Sequence, residues 1–299
     1  ANGIADDLIS TTLLATPRPI VIAPAMNNGM WKAPVTQANM ATLRERGVHV
    51  VGPGSGYLAC GDVDTGRMSE PEDIVEAICE VLDPAPQDLA GKSIVITAGP
   101  THESIDPVRY IGNRSSGKMG IALAGEATRR GAAVTLVLGP TSLDVPRGVE
   151  CVRVQTAAEM LQAALSAFQT ADAAICAAAV ADYTPAAPAD HKLKKANERL
   201  DRIELVETVD ILAELSRQKG DRRVIGFAAE TDNVVEYAER KLTRKGCDAI
   251  IANDVSRADS GFGTDTNKAW IVSTTGTQEL PVLTKPQLAD TILDLLQNL

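Results

Sequence analysis

The stretch SIVITAGPTHESIDPVRYIGNRSSGKMG, residues 93–120, decides the fold of the larger part of this chain. It opens with an apolar run, continues as a long loop rich in glycine and polar residues, and ends where a helical pattern begins near Gly117. A short apolar run without alternation is typical of a strand covered on both faces of a parallel sheet. Ligands of open α/β sheets bind where such strands end and loops meet helices. The stretch therefore predicts a ligand-binding α/β domain.

The same strand-and-helix pattern repeats toward the C-terminus. Further apolar runs predict strands at residues 133–138, 173–180, 224–229, 249–252 and 269–273. The segments between and after them predict helices at residues 117–130, 157–168, 209–218, 234–245 and 285–299. Regular alternation of this kind predicts an α/β fold with a doubly wound, Rossmann-like parallel sheet.

The N-terminal block is shorter and less regular. Its pattern predicts strands at residues 19–25 and 48–51, helices at 34–47 and 71–82, and a glycine-rich loop at 52–66. A chain of 299 residues suits about two domains. Residues 82–91 carry two prolines and little apolar content, which predicts a linker. We therefore expect one domain over residues 1–81 and a second over residues 92–299.

Composition excludes several classes of protein. A net charge of −10 argues against a nucleic-acid-binding surface, so a small anionic ligand would need a local basic pocket. No apolar run approaches the roughly 20 residues that cross a membrane. The five cysteines are odd in number, scattered and without a C-x-x-C pair, which argues against disulfides and against a structural zinc site. We therefore expect a protein of the reducing cytoplasm.

The loop that follows the first strand resembles two nucleotide signatures without matching either. Residues 112–118 fit G-x-x-x-x-G-K, but Met119 stands where a P-loop needs serine or threonine for magnesium. The turn AGPTHE is not the G-x-G-x-x-G of a dinucleotide site. Exposed amides at the start of the helix could hold phosphate oxygens, and ordinary helix capping is the alternative.

Two further clusters follow predicted strands. In ICAAAVADYTPAAPADHKLKK, residues 175–195, small residues and Asp182 could approach a base or ribose, with Lys192, Lys194 and Lys195 supplying positive charge. A solvated loop is the alternative. In residues 226–248, Lys241 and Lys245 share one helix face, although cations in a last turn also complement the helix dipole without any ligand. Together the three clusters predict a nucleotide triphosphate site, without naming the base.

These residues resemble a known pair of enzymes. The runs ITAGPTHESIDPVRYIGNRSSGKMG, AAVADYTPAAPADHKLKK, VIGFAAET and IIANDVS resemble bacterial phosphopantothenate–cysteine ligase. The N-terminal runs PAMNNGMW and GSGYLACGDVDTGRM resemble the end of phosphopantothenoylcysteine decarboxylase, a flavoprotein-type α/β domain. The two activities occur as one bifunctional protein of coenzyme A synthesis, and the resemblance covers nearly the whole chain.

The resemblance implies a CTP-dependent, magnesium-requiring ligase. The carboxylate of 4′-phosphopantothenate attacks CTP, and the resulting acyl-cytidylate is attacked by the amine of cysteine. It also implies homo-oligomers, with ligase dimers and a higher assembly where the decarboxylase half is intact. No nucleic acid or membrane partner is implied.

Site residues carry over by motif. The resemblance implies that Asn113 positions or stabilises the acyl-cytidylate and that a loop of Ser115, Ser116 and Gly117 lies near phosphates. The positions implied to bind CTP are Cys176, Ala177, Ala178, Asp182, Lys192, Val209, Asp210, Ile211, Leu212, Phe227, Lys241 and Lys245. Val209 replaces a proline of a relative, which leaves a backbone contact possible.

The decarboxylase part implies an FMN-dependent reaction in which Cys60 is the proton donor and Asn27 binds the substrate. The histidine and the FMN-phosphate loop of that family lie upstream of residue 1. We therefore expect the N-terminal part of the decarboxylase to be absent from this sequence and FMN to bind only if that domain is complete. A buried structural thiol is the alternative for Cys60.

Three alternatives to this reading stay open. The chain could be an incomplete record of the full bifunctional protein, which a longer upstream sequence would reveal. It could be a nicotinamide-dependent oxidoreductase on the same fold, or a nucleotide-binding module without turnover.

Overall fold

The structure is a computed structural model that describes residues 1–57, 63–194 and 201–299. The chain divides into two compact units, Ala1–Ala85 and Pro86–Leu299. Among the described residues, no helix combines the length and the apolar character needed to cross a membrane.

The first unit is built from short elements. They are α1 (Leu8–Ala15), β1 (Val21–Ile22), α2 (Asn28–Lys32), α3 (Pro34–Glu45), β2 (His49–Val50), β3 (Gly54–Tyr57), β4 (Val63–Arg67) and α4 (Pro71–Leu82). β1 and β2 pair in parallel. β3 and β4 form an antiparallel hairpin, so the prediction of a loop throughout residues 52–66 was wrong. These strands lack the apolar run by which a buried strand is recognised, because their described residues other than Gly66 are exposed or half-buried.

The second unit contains the larger sheet and its covering helices. Its elements begin with β5 (Ser93–Ala98), β6 (His102–Ser104), β7 (Tyr110–Gly112), α5 (Lys118–Arg129), β8 (Ala133–Leu138), β9 (Glu150–Arg153), α6 (Ala157–Phe168) and β10 (Ala173–Cys176). They continue with β11 (Tyr183–Pro185), β12 (Leu205–Glu207), α7 (Ile211–Arg217), β13 (Arg223–Glu230), α8 (Val234–Lys245), β14 (Ala249–Asp254), β15 (Thr266–Ser273), β16 (Gly276–Thr284) and α9 (Lys285–Asn298).

Eight strands of the described part of this unit form one sheet, in the order β16-β15-β14-β13-β10-β5-β8-β9. The six strands from β14 to β9 run parallel, while β15 and β16 join in antiparallel pairs. The chain first builds outward from β5 through β8 to β9, then returns to the other side of β5 with β10. This is the doubly wound Rossmann order, which confirms the predicted fold class.

Helices cover both faces of the sheet because side chains of each strand alternate between them. Ile94 and Ile96 of β5 pack in one apolar cluster with residues of α5 and α9. Val95 of the same strand packs in a second cluster with residues of α6, α7 and α8. The near-continuous apolar runs of the central strands follow from this two-sided burial.

Several predicted elements are shorter in the structure, among them the strand predicted over 19–25, which is Val21–Ile22. The strand predicted over 173–180 ends at Cys176, after which the amides of Ala177 and Ala179 bond to the carbonyls of Thr97 and Gly99. The helix predicted over 209–218 begins only at Ile211, because Asp210 is its N-cap. In the latter two places the chain leaves regular structure at the carboxyl edge of the sheet.

Candidate active site

A cleft of about 970 Å³ opens at the carboxyl end of the parallel strands in the second unit. Its walls include the chain after β5 and the chain after β10, which is where the strand order reverses. Backbone hydrogen bonds from Ala177 to Thr97 (3.1 Å) and from Ala179 to Gly99 (2.9 Å) hold these two segments together beyond the sheet. Open α/β sheets bind their ligands at this switch point.

Most of the predicted site residues of the second unit line this cleft. They are Asn113, Ser115, Ser116, Gly117, Cys176, Ala177, Ala178, Asp182, Val209, Asp210, Ile211, Leu212, Phe227, Lys241 and Lys245. The structure therefore brings together three clusters that are separated by tens of residues in the sequence.

Asn113 bridges the two segments at the switch point. Its side-chain Nδ2 donates to the carbonyl of Ala179 (3.1 Å) and to the carbonyl of Val180 (2.9 Å). Because both bonds need the two N–H groups of an amide, an aspartate at this position cannot replace them. The orientation of the Asn113 side chain is thus set by the chain after β10.

The start of α5 forms the wall beside Asn113. Gly117, its N-cap, has a left-handed backbone with φ 83°, and its N–H donates to Ser115 Oγ (3.3 Å). Gly120 in the first turn lies directly against β5, since an added Cβ would lie 2.3 Å from the Cβ of Ala98. Glycines at these two positions let the helix start close to the strand end.

The opposite wall is fixed by Asp210. One carboxylate oxygen accepts from the N–H of Ala213 (2.9 Å) and caps α7, while the other pairs with Lys245 Nζ of α8. The loop before it is held by the Thr208 hydroxyl, which donates to the carbonyl of Ala181 (2.6 Å). Asp210 and Lys245 thus join two helices at the mouth of the cleft.

Lys241 places a half-buried ammonium group on the cleft wall. Its Nζ donates to the carbonyl of Phe227 (2.7 Å). Burial lowers the pKa of Lys241, and the nearby charges of Glu230 and Asp182 oppose that shift. A cation in partly desolvated surroundings interacts strongly with a phosphate anion.

Cys176 lines the floor of the cleft but is not a nucleophile. Burial raises the pKa of Cys176 to about 12, so its thiol stays protonated at neutral pH. The side chain is 9% exposed and packs in the second apolar cluster. The small side chain of Cys176 therefore lets a ligand approach the backbone of the cleft closely.

Lys192 is the predicted residue of this unit that does not line the cleft. It is exposed, and the next residue is anchored elsewhere: the Leu193 N–H donates to Asp106 Oδ2 (3.2 Å) and its carbonyl accepts from Arg109 (2.9 Å). Lys195 lies outside the described residues. The assignment of Lys192 to CTP binding stays a prediction.

In the first unit, Asn27 is the N-cap of α2, and its Oδ1 accepts from the N–H of Gly29 (2.8 Å). Cys60 lies outside the described residues. The roles predicted for both residues stay predictions.

Sequence reasoning missed one end of the cleft. This end is lined by Lys118, Asn253, Gly261, Phe262, Asn267 and Lys285. Lys285 is the first residue of α9, where a cation opposes the helix dipole. That unfavourable placement is the signal by which the sequence could have indicated a functional lysine.

The described residues contain no group of three or more His, Cys, Asp or Glu side chains arranged to hold a metal ion. What the cleft offers instead is hydroxyl, amide and ammonium donors from several elements, all fixed by the fold. Preorganised donors of this kind stabilise negative charge that develops during phosphoryl chemistry.

Two family profiles match the chain. The profile described as DNA/pantothenate metabolism flavoprotein C-terminal domain matches residues 89–299, and the profile described as Flavoprotein matches residues 1–83. The coenzyme A biosynthesis bifunctional protein CoaBC of Bacillus subtilis is 48% identical over 296 residues, which cover 98% of this chain and 73% of that protein. The CoaBC protein of Escherichia coli K12 is 47% identical over 297 residues, with the same coverage.

Solved structures resemble the second unit. The C-terminal domain of a CoaBC protein superposes with a TM-score of 0.60 at 45% identity, covering 70% of this chain and 97% of that domain. A DNA/pantothenate metabolism flavoprotein from Streptococcus pneumoniae gives a TM-score of 0.60 at 23% identity, which shows a shared fold.

Proposed function

Because the chain belongs to the CoaBC family of bifunctional coenzyme A biosynthesis proteins, we propose that the cleft joins 4′-phosphopantothenate to cysteine with CTP. The protein is an enzyme of coenzyme A biosynthesis, in a family that combines ligase and decarboxylase activities. These relatives do not favour the alternative of a nicotinamide-dependent oxidoreductase.

One observation carries the proposal for the cleft. The strand order places Asn113 in one cleft with Lys241 and Lys245, although more than a hundred residues separate them in the sequence. A ligase of this kind needs a group that orients the acyl centre and cations that receive a triphosphate. Those groups occupy separate walls of the same space.

The proposed reaction has two steps. A carboxylate oxygen of 4′-phosphopantothenate attacks the α-phosphorus of CTP, and the bond to pyrophosphate breaks. The cysteine amine then attacks the activated acyl carbon, CMP leaves with the bonding electrons, and the amine loses a proton. Lys241 and Lys245 neutralise charge that grows on the leaving pyrophosphate, and Asn113 orients the acyl-cytidylate.

Magnesium fits this cleft as a companion of the nucleotide. Mg²⁺ keeps several waters and is held by one or two carboxylates together with substrate phosphates. Asp182 and Glu207 line the cleft and would supply such carboxylates. The ion would spread the negative charge of the triphosphate.

The first unit carries the decarboxylase part of the proposal. We propose that Asn27 contacts the substrate and that Cys60 donates a proton in an FMN-dependent decarboxylation. Asn27 occupies an exposed position at the start of α2, where its Oδ1 caps the helix. We also propose that the ligase part assembles as a dimer.

Pyrophosphate release by the purified chain tests the ligase proposal. Release should require CTP, 4′-phosphopantothenate and cysteine for sustained turnover, and the product should be the amide. Release that ignores both acid and amine would show hydrolysis of the nucleotide, and CTP binding without any turnover would show a binding module. Either result would refute the proposal.

Asn113→Asp separates binding from chemistry. The carboxylate would face the carbonyls of Ala179 and Val180 without a proton to donate, so the side chain must turn away. We expect the rate of amide formation to fall by about 100-fold, because the reacting groups are misplaced, while the Kd for CTP stays within about twofold.

Lys192→Gln should instead weaken the binding of CTP about tenfold. An unchanged Kd for CTP would remove Lys192 from the site.

A further inference from the structure

Helix α8 presents a row of cations to the cleft. The residues of α8 that line the cleft recur at the spacing of a single helix face, and they are Tyr237, Arg240, Lys241, Arg244 and Lys245. Lys241 is half-buried, whereas Arg244 is exposed. Because Arg244 is the more exposed of the two, it lies nearer the opening of the cleft.

The cations of this face differ in their partners. Arg240 pairs with Glu236 one turn earlier (2.5 Å), and Lys245 pairs with Asp210 at the start of α7. Among the residues that the structure describes, no carboxylate pairs with Arg244. Its guanidinium group is therefore available to an anion that enters the cleft.

Arg244 and Lys241 add their charges at one place. Lys241 Nζ donates to a neutral acceptor, the carbonyl of Phe227 (2.7 Å). Burial lowers the pKa of Lys241, and the positive charge of Arg244 acts in the same direction, while the carboxylates of Glu230 and Asp182 oppose that shift. Two neighbouring cations that repel each other favour an anion that contacts both.

The helix dipole explains only part of this arrangement. Cations in the last turn of α8, which ends before Gly246, complement the dipole wherever they lie around the helix. The dipole does not require Arg244 to face the cleft or to stand beside Lys241. In a chain with a net charge of −10, cations gathered on the cleft face indicate an anionic ligand there.

We propose that Arg244 binds the β- and γ-phosphates of the nucleotide and thereby makes affinity depend on the number of phosphates. This inference rests on the proposed ligase function. Arginine holds phosphate through two parallel N–H···O bonds, which an ammonium group cannot form. Asp210 already compensates the charge of Lys245, so Lys241 and Arg244 supply the positive charge of this wall that a triphosphate needs.

The position of Arg244 decides which phosphates it meets. The α-phosphorus must lie beside Asn113, because the carboxylate of the acid attacks it there. The other two phosphates then extend along α8, past Lys241 and toward the opening of the cleft. Arg244 lies on the way by which the leaving pyrophosphate reaches solvent.

Calorimetric titration of the full chain with CTP and with CMP tests the assignment, because CMP lacks the β- and γ-phosphates. Arg244→Gln should raise the Kd for CTP about tenfold, as the loss of a charged hydrogen bond does. The Kd for CMP should stay within about twofold of the parent value. Inorganic pyrophosphate should also bind Arg244→Gln about tenfold more weakly.

Arg240→Gln is the matched control, since Arg240 is an exposed arginine one turn earlier on the same face, and Glu236 compensates its charge. Its Kd for CTP should stay within about twofold of the parent value. A loss in Arg240→Gln equal to that in Arg244→Gln would show a general effect of charge and overturn the assignment. An unchanged Kd for CTP in Arg244→Gln, or equal losses for CTP and CMP, would overturn it as well.

The ligase proposal fails by a different result. A parent chain that binds CTP without any turnover would refute the ligase, while the comparison of CTP with CMP would still decide the role of Arg244. A parent chain that binds neither CTP nor pyrophosphate would overturn both proposals.

Discussion

Gly120→Ala tests how closely α5 must pack on the central strand. A Cβ at this position would lie 2.3 Å from the Cβ of Ala98, 3.0 Å from its Cα and 3.3 Å from the carbonyl oxygen of Thr97. Carbon atoms in contact ordinarily lie about 3.5–4.0 Å apart. The atoms in the way belong to the backbone of β5 or to a methyl fixed on it. The helix must therefore move by about 1 Å.

The expected cost follows from two opposing effects. Overpacking a tight site costs about 1–3 kcal/mol, and the short contacts with a rigid strand place Gly120 near the upper value. Alanine favours the helix by about 1 kcal/mol relative to glycine. We expect a net loss of about 2 kcal/mol in the free energy of unfolding. Because α5 begins at the cleft, a shift of this size should also lower kcat about tenfold or more.

Gly125→Ala is the matched control on the same helix. Its added Cβ would lie 3.5 Å and 3.7 Å from atoms of Pro146, which is ordinary contact. The identical change there should stabilise the protein by about 0.5–1 kcal/mol. The two variants should thus differ by about 3 kcal/mol, with opposite signs.

Urea denaturation of the full chain measures the difference. The chain has two tryptophans, so a Trp31→Phe background leaves Trp270 of β15 to report unfolding of the second unit. A midpoint for Gly120→Ala equal to that of Gly125→Ala would refute the proposed close packing of α5 on β5.

The remaining predictions concern charged and reactive side chains. Arg130, which is almost fully buried, donates two hydrogen bonds to Asp88 (3.0 and 2.6 Å) and lowers the pKa of Asp88 to about 2. The pair should stabilise the fold above about pH 4 and lose that effect as pH falls toward 2. Asp88→Asn should therefore cost about 1 kcal/mol at pH 7 and flatten this acid dependence in urea titrations; an unaltered acid slope would contradict this reasoning. Lys241→Met should weaken the binding of CTP about tenfold in calorimetry. The free energy of unfolding should not fall, since an apolar side chain replaces a desolvated charge. An unchanged affinity for CTP would remove Lys241 from the site. Cys176 should resist alkylation at pH 8 until the chain unfolds, as mass spectrometry of its peptide can show, because burial raises the pKa of its thiol; rapid labelling of folded protein would refute this.

The sequence predicted the regular core of the second unit well. The bounds predicted for α6 and α8 agree with Ala157–Phe168 and Val234–Lys245, because both segments carry an apolar stripe of helical period. β9 and β16 were missed, and these strands form the two edges of the sheet. Their side chains are largely exposed, so no apolar run marks them.

The candidate site was predictable where it follows strand ends. Asn113, Asp182 and Phe227 were chosen by that reasoning or by resemblance, and all three line the cleft. Lys285 was not chosen, because it begins the last helix and follows an antiparallel strand. No local sequence pattern indicates that α9 begins beside the loop that follows β5.

The sequence by itself determined the alternation of strands and helices and the small, polar loops at their ends, because these depend on periodicity and local backbone preference. Only the tertiary structure decided that β10 returns beside β5 and that α9 brings Lys285 to Lys118, residues 167 positions apart in the numbering. Strand order and helix docking are set by the packing of two apolar faces over the whole unit. That packing is a long-range property, which no single stretch of sequence contains.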